Sequence, residues 1–396
     1  MIVSAAKESF PGERRVALVP ASVAQLINAG WQVRIEAGAG TAAGFLDTQY
    51  TDKGAQITSR AEVFAADALV QVRSLGANPA AGQADLAQLR SGQVVVGMCD
   101  PLGQPQSVQA LAEKGVTLFA LELVPRISRA QSMDVLSSQA NIAGYRAVLL
   151  AATTLPKMFP MMTTAAGTIT PAKVLIVGAG VAGLQAIATA RRLGAVVSAY
   201  DVRAAVKEQV QSLGARFVEM DLKPGGAETA GGYAKEMDEE FYRKQRELML
   251  KVVAENDVVI TTAAVPGKRA PTLVTGEMVA AMAEGSVIVD LAAERGGNCE
   301  LTKPGETIVE NGVTILGPTN LPSEVPFHAS QMFAKNVTTF LGSLVKDGQW
   351  NFDMQDEIVR DTLVARDGNV VNPALRDLLG IPEPEKQWHD REIELE

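Results

Sequence analysis

Cysteine and histidine are nearly missing from this chain. Its 396 residues hold two of each: Cys99 and Cys299, His328 and His389. The cysteines lie far apart and match no metal or redox spacing, so they read as two inert, buried thiols in a reducing cytosol. A basic excess is also missing. Lys and Arg total 36 against 45 Asp and Glu, a net charge of −9, which argues against a binder of phosphate backbones. No uninterrupted apolar run reaches the roughly 18 residues of a membrane span. The opening MIVSAAKESF has no basic stretch followed by an apolar core, so no secretory signal is expected there. No internal period of about 20 to 50 residues occurs, which excludes a solenoid. What is present is a 47% apolar and 20% charged composition, that of a packed globular protein. The length implies about two or three domains.

Apolar runs of strand length alternate with helical patterns. Strands are expected at Ile2 to Ala5, Gln32 to Glu36, Ala68 to Arg73, Val94 to Met98 and Val116 to Val124. Helices are expected at Pro20 to Ala29, opened by proline and closed by Gly30, and at Gln106 to Lys114. A second series starts after Pro171. Its strands are Lys173 to Val177, Val196 to Tyr200, Arg216 to Met220, Asp257 to Thr261, Ser286 to Asp290 and Val313 to Leu316. Its helices are Val181 to Leu193, Ala204 to Ser212 and Gly276 to Ala283. Strands separated by helices imply parallel βαβ units. The expected fold is therefore α/β: two Rossmann-like, doubly wound parallel-sheet domains separated by a cleft. A long helix from Ala329 to Val345 reads as the crossover back to the first domain. The boundaries are 1–138 plus 323–396 for a discontinuous first domain and 139–322 for the second. The tail EKQWHDREIELE is charged and expected to fray.

The most specific motif is VLIVGAGVAGLQAIATARRLGAVVSAYD. Gly178, Gly180 and Gly183 form G-x-G-x-x-G between an apolar strand and an apolar helix. A second strand ends at Asp201, 23 residues after the first glycine. That is the full context of a dinucleotide site. Gly178 allows the tight turn, Gly180 lets the backbone approach a pyrophosphate, and Gly183 lets the helix pack on the strand. Val181 and Ala182 open the helix, whose free N–H groups and positive dipole end attract phosphates. Asp201 would accept hydrogen bonds from ribose hydroxyls and oppose a 2′-phosphate, which favours NAD over NADP. Val202 and Arg203 follow it, and Arg203 weakens that preference.

Other segments leave two readings open. DLKPGGAETAGGYAKEM, from Asp221, is either a plain surface loop or a flap over nucleotide, with Gly232 and Tyr233 at its tip. TTAAVPGKRAP follows a strand, so Thr262, Ala263 and Ala264 are either backbone contacts to a cofactor or a simple turn. DLAAERGGNCE, from Asp290, has the same placement and reads as a turn near the nicotinamide half of a crevice. TNLPSEVP reads as a hinge. The charges from Glu239 to Lys251 read as a solvated helix face.

PRISRAQSMDVLSSQANIAGYRAV, from Pro125, concentrates hydrogen-bonding groups between apolar stretches that look like two buried strands. Together with KESFPGERRVALVPASVAQL, EAGAG, VITTAAVPGK, VIVDLAAERGGNCE and NLPS, it resembles the NAD-binding component (domain I) of proton-translocating nicotinamide nucleotide transhydrogenases. The resemblance covers nearly the whole chain and is weakest after about residue 350. Alanine dehydrogenases share the fold and several glycine motifs but not RISRAQS. The resemblance implies that RISRAQS lies in a loop facing the nicotinamide and its ribose. Carried over, the contacts are Arg126, Ile127, Ser128, Arg129, Gln131, Ser132, Met133, Asp134, Ser137 and Tyr145. Arg126, Gln131 and Asp134 take the catalytic positions: Gln131 holds the carboxamide, and Arg126 and Asp134 pair with each other or with the nucleotide. It further implies Re/Si-specific hydride transfer from NADH to NADP bound on a separate domain III subunit. A membrane-spanning domain II subunit would translocate the protons. This component would be a homodimer on the cytoplasmic face of the membrane.

Direct transfer between two nicotinamide rings needs no general acid or base, whereas an amino-acid dehydrogenase needs one. Alanine dehydrogenases use a lysine and a histidine in their first domain. At the matching strand ends this chain has QVRSLG, with Arg73, and GMCDPLG, with no histidine. Arg15 resembles the arginine those enzymes use for the substrate carboxylate, and here reads as one arm of a structural ion pair. No metal is implied.

Overall fold

A parallel strand covered on both faces needs apolar residues at every position. Val94–Met98 is such a strand, with Val94, Val95 and Val96 all buried. The structure, a computed structural model, describes residues 1–219, 239–265 and 267–382. They form two units: Met1–Ser138 with the described residues from Val325 on, and Gln139–Glu324.

The first unit holds an eight-stranded sheet. Its order is Asn369–Val370, Leu363–Arg366, Thr117–Ala120, Val94–Met98, Ala68–Arg73, Ile2–Ala5, Gln32–Glu36, Gln56–Thr58. The last six are parallel. Leu363–Arg366 pairs antiparallel with Thr117–Ala120 and turns back in a short hairpin at the edge. Successive residues of one strand serve opposite faces. Val94 and Val96 join a core with the helices Pro20–Asn28 and Pro326–Ser343, while Val95 joins one with Pro105–Glu113 and Pro373–Leu379. Phe333 and Phe340 of the Pro326–Ser343 helix are fully buried, and the Phe340 ring meets Phe119 at 5.6 Å. Burying each contributes about 1.5–3 kcal/mol. Cys99 is buried in this unit and Cys299 in the other, both as free thiols.

The strand order reverses between Ile2–Ala5 and Ala68–Arg73. The loops beyond these two carboxyl ends are where a doubly wound sheet places ligands. Here they carry the chain's own charges. Glu8 accepts hydrogen bonds from the amides of Val72 and Arg73 at 2.6 and 3.1 Å. The Arg15 guanidinium donates to both oxygens of Glu13 at 2.7 Å, its amide donates to one of them at 3.0 Å, and Arg73 Nε reaches the other at 3.2 Å. Arg73 also stacks over the Phe10 ring, 4.3 Å from its centroid. Arg15 is thus an arm of a structural ion pair. Burial pushes Glu13 up, but the hydrogen bonds and charge of Arg15 outweigh it and hold the carboxyl down at about 2. Burial, with the Glu13 charge behind it, pushes Glu8 from 4.5 up to about 8, against the pull of the two amides.

The two carboxyls set opposite pH dependences. Glu13 ionises more readily when folded, so its contribution is present above 4.5 and lost as pH falls toward 2. Glu8 holds its proton more tightly when folded, so its contribution is full below 4.5 and lost as pH rises through about 8. Glu8→Gln should flatten the decline in melting temperature between those two pH values. A wild-type slope surviving in the variant would contradict the assignment.

The second unit has a seven-stranded sheet. Its order is Arg216–Phe217, Val196–Tyr200, Lys173–Val177, Val258–Thr261, Val287–Asp290, Val313–Leu316, Thr307–Glu310. All neighbours are parallel except the last pair. Helices Val135–Thr154 and Val181–Arg192 cover one face, and Glu239–Ala254 and Gly276–Ala280 the other. The reversal falls between Lys173–Val177 and Val258–Thr261. Both units are therefore doubly wound α/β sheets, as the alternation of strands and helices implies.

Several elements differ from the sequence expectation. The polar segment from Pro125 is not a loop between two strands. Ser128–Met133 is a 3-10 turn, and Val135–Thr154 is a 20-residue helix. The expected Val116 to Val124 strand stops at Ala120 and continues as a 3-10 turn, Leu121–Leu123. Ala204 to Ser212 divides into a 3-10 turn and a helix from Lys207. The charged Glu239–Ala254 helix is solvated on one side only; Gln245, Met249, Val252 and Val253 are buried. The Asp221 to Met237 segment and the charged tail lie outside the described residues. Among the described residues no helix is long and apolar enough to cross a membrane.

Candidate functional site

The Lys173–Val177 strand ends against a turn built from three glycines. Gly178 has φ +98°, a left-handed conformation that costs glycine nothing. A side chain there would also meet the Thr262 hydroxyl at 2.6 Å. Gly183 has a different reason. Its Cβ would lie 1.9 Å from the Gly178 carbonyl oxygen, so the Val181–Arg192 helix starts pressed against the turn. Gly180 has neither constraint. Its φ is −76°, and a Cβ would meet no protein atom within 4 Å. The space beside it suits a ligand's close approach to the backbone, the role expected of the middle glycine.

Val181 and Ala182 form the first turn of the helix. The Ala182 carbonyl is approached by a further glycine: a Cβ at Gly144, in the middle of the Val135–Thr154 helix, would sit 2.1 Å from it. Sequence reading missed this contact, although a glycine inside a helix is itself a signal of close approach.

Asp201 follows the Val196–Tyr200 strand. One carboxylate oxygen accepts from the Ala179 amide at 2.7 Å and Arg203 Nη2 at 2.9 Å. The other accepts from the Arg203 amide at 2.9 Å and Nε at 3.0 Å. Four contacts nearly exhaust a carboxylate's acceptor sites, about four in number. Ribose hydroxyls reach this group only where Arg203 gives up a contact. Val202, between the two, packs on the apolar core. Thr262 closes the back of the turn: its hydroxyl donates to the Gly178 carbonyl at 2.9 Å, and its amide donates to Val177. Ala263 is held by the side chain of Asn298, and Ala264 is exposed. The structure thus joins Gly178, Gly183, Thr262 and Ala263 in one contact set, with Asp201 and Arg203 tied to it through Ala179. Gly232 and Tyr233 lie outside the described residues.

In the first unit, Arg126, Ser128, Arg129, Gln131 and Ser132 are exposed, Ile127 is half-buried, and Met133 is buried in the core. Arg129 makes a two-pronged ion pair with Asp356 at 2.7 and 2.8 Å. Asn336 donates to the Ser132 carbonyl, pinning the turn to the Pro326–Ser343 helix. Asp134 caps the following helix: it accepts from the Ser137 amide at 2.8 Å and the Ser137 hydroxyl at 2.6 Å. Ser137 and Tyr145 therefore ride on a helix, and Tyr145 is 41% exposed. Met133 below and Asp134 behind leave the Gln131 amide displayed on a short, anchored turn.

A doubly wound sheet with a three-glycine turn at its switch point, and a carboxylate ending the next strand, defines an α/β protein with a Rossmann-type unit. Comparison with known proteins narrows this. The family description "Alanine dehydrogenase/PNT, N-terminal domain" matches residues 4–143, and "Alanine dehydrogenase/PNT, C-terminal domain" matches residues 147–373. The chain belongs to the alanine dehydrogenase/PNT family. An NAD(P) transhydrogenase subunit alpha chain of Rhodospirillum rubrum is 51% identical over 381 residues, which is 95% of this chain and 99% of that one. The crystal structure of transhydrogenase from Sinorhizobium meliloti covers 94% of this chain and all of its own, with a TM-score of 0.82 at 45% identity. Alanine dehydrogenase of Bacillus subtilis is a more distant relative, 32% identical over 85% of this chain and 84% of that one.

Proposed function

We propose that this chain is the NAD(H)-binding component of a proton-translocating transhydrogenase. The observation that carries the reading is Gly180: a glycine that no packing requires, facing open space at the positive end of a helix, at the sheet's switch point. The likeness to subunits named NAD(P) transhydrogenase alpha, along almost the whole chain, supports it. In this reading Gly178, Gly180, Val181, Ala182 and Gly183 receive the pyrophosphate. Asp201, Val202 and Arg203 take the adenosine ribose, and Thr262, Ala263 and Ala264 line the turn. The segment Arg126 to Ser137, with Tyr145, takes the nicotinamide half.

Bound NADH supplies a hydride that passes, Re/Si-specifically, to NADP+ held on a partner subunit. This chain's work is to grip and aim. Gln131 fixes the carboxamide and thereby the ring face, and Asp134 holds its own place by capping the helix beside it. No residue need move a proton in this step. Proton translocation belongs to a membrane-spanning partner, with this chain on the cytoplasmic face. A homodimer fits the exposed hairpin Met162–Thr164 and Gly167–Ile169. A lone two-stranded hairpin is marginal in water, and Met161, Met162 and Ile169 are 65%, 39% and 42% exposed.

One observation favours a second reading, an alanine dehydrogenase-like enzyme: the 32% identity to that protein. Against it, Arg15 is committed to Glu13. Titration of the purified chain should show NADH bound more tightly than NADPH, because Asp201 ends the strand where a ribose is expected, a preference that its ion pair with Arg203 weakens. Equal affinities would contradict the Asp201 assignment. Gln131→Ala should slow hydride transfer by about tenfold while NADH affinity changes by less than about threefold. Equal losses of both would contradict an aiming role.

A further inference from the structure

Resting on the reading above, we propose that Asn298 is a positioning residue for the dinucleotide, acting through Ala263 and Thr262 on the Gly178 turn. Asn298 is fully buried. Its Oδ1 accepts from the Ala263 amide at 2.9 Å, and its Nδ2 donates to the carbonyls of Ala263 and Pro271, both at 2.8 Å. One side chain thus grips both peptide groups of Ala263 and the far end of the same loop. The task needs one acceptor and two donors, which a primary amide offers and a carboxylate does not.

Asn298 is itself clamped from behind. Its amide and that of Cys299 donate to one Asp290 oxygen at 2.8 and 2.9 Å, and the Thr302 hydroxyl joins them at 2.8 Å. The other Asp290 oxygen takes the Thr261 hydroxyl and the Ala292 amide. In the forward direction, Thr262 holds the Gly178 carbonyl, and a Cβ on Gly178 would fall 3.2 Å from the Ala263 nitrogen. The wall on which the phosphate-binding turn rests is therefore set by Asn298. Releasing Ala263 lets that wall shift, while Asp201, which meets the turn at the Ala179 amide, keeps its contacts with Arg203.

The test uses the full chain with Asn298→Ala and Asn298→Ser. NADH affinity is measured by calorimetry, adenosine affinity by NMR titration, and melting temperature alongside. Both variants should lose about tenfold or more in NADH affinity, the effect of a turn no longer held in place before the ligand arrives. Adenosine affinity should change by less than about twofold, because Asp201 and Arg203 keep their mutual contacts when Ala263 is released. A residue that merely holds the fold together would lower both affinities together. The proposal fails if NADH affinity stays within about twofold of wild type, if both ligands weaken equally, or if both variants fail to fold. Failure of the wild-type chain to bind NADH would instead overturn the functional reading itself.

Discussion

Gly183→Ala is expected to cost about 10- to 100-fold in NADH affinity, the loss of hydrogen bonds to a charged phosphate. The added methyl would sit 1.9 Å from the Gly178 oxygen and 2.9 Å from the Gly178 carbon. Both are backbone atoms, so no side chain can swing aside. The helix start must lift away from the strand end, and its free amides and positive dipole end leave the phosphate position with it. The melting temperature should fall as well. Gly180→Ala separates packing from binding. Its Cβ meets nothing within 4 Å and its backbone suits alanine, so stability should hold while NADH affinity falls. Calorimetry with NADH and a thermal melt on both variants check this. Unchanged NADH binding in Gly180→Ala would mean that no phosphate approaches that backbone.

Glu13→Gln should destabilise the first unit by about 3–5 kcal/mol, the cost of removing one partner of a buried ion pair. The side chains of Glu13 and Arg15 are 0% and 2% exposed, and Arg73 leans on the same carboxylate. The substitution keeps the shape and removes the charge that two guanidinium groups share. Denaturant unfolding should show the first unit melting early. Adding Arg15→Gln should recover some of the loss, since the pair is coupled. A cost below about 1 kcal/mol would place Glu13 among exposed ion pairs.

The sheets were legible because parallel strands read as unbroken apolar runs; Val94–Met98 and Lys173–Val177 are examples. The glycine turn after Lys173–Val177 was legible because its three glycines, strand and helix lie within one short stretch. The Val135–Thr154 helix was hidden by polar residues in its first turns, Ser137, Ser138 and Gln139, which serve its capped start. Its signal was present in the Asp134 to Ser137 spacing, that of a capping side chain three residues ahead of an amide. The short edge strands, Leu363–Arg366 and Asn369–Val370, carry too few residues for a periodicity. The charge cluster of Glu8, Glu13, Arg15 and Arg73, and the grip of Asn298 on Ala263, join residues up to 65 and 35 positions apart. Only the fold brings such partners together.

The most direct test mixes this chain, loaded with NADH, with the NADP-binding partner subunit and follows the reduced coenzymes by stopped flow. Hydride should pass to NADP+ rapidly once the partner is added. The chain alone should oxidise NADH neither with NADP+ nor with pyruvate and ammonia. Oxidation by pyruvate and ammonia, or NADH bound but inert in the presence of the partner, would contradict the account.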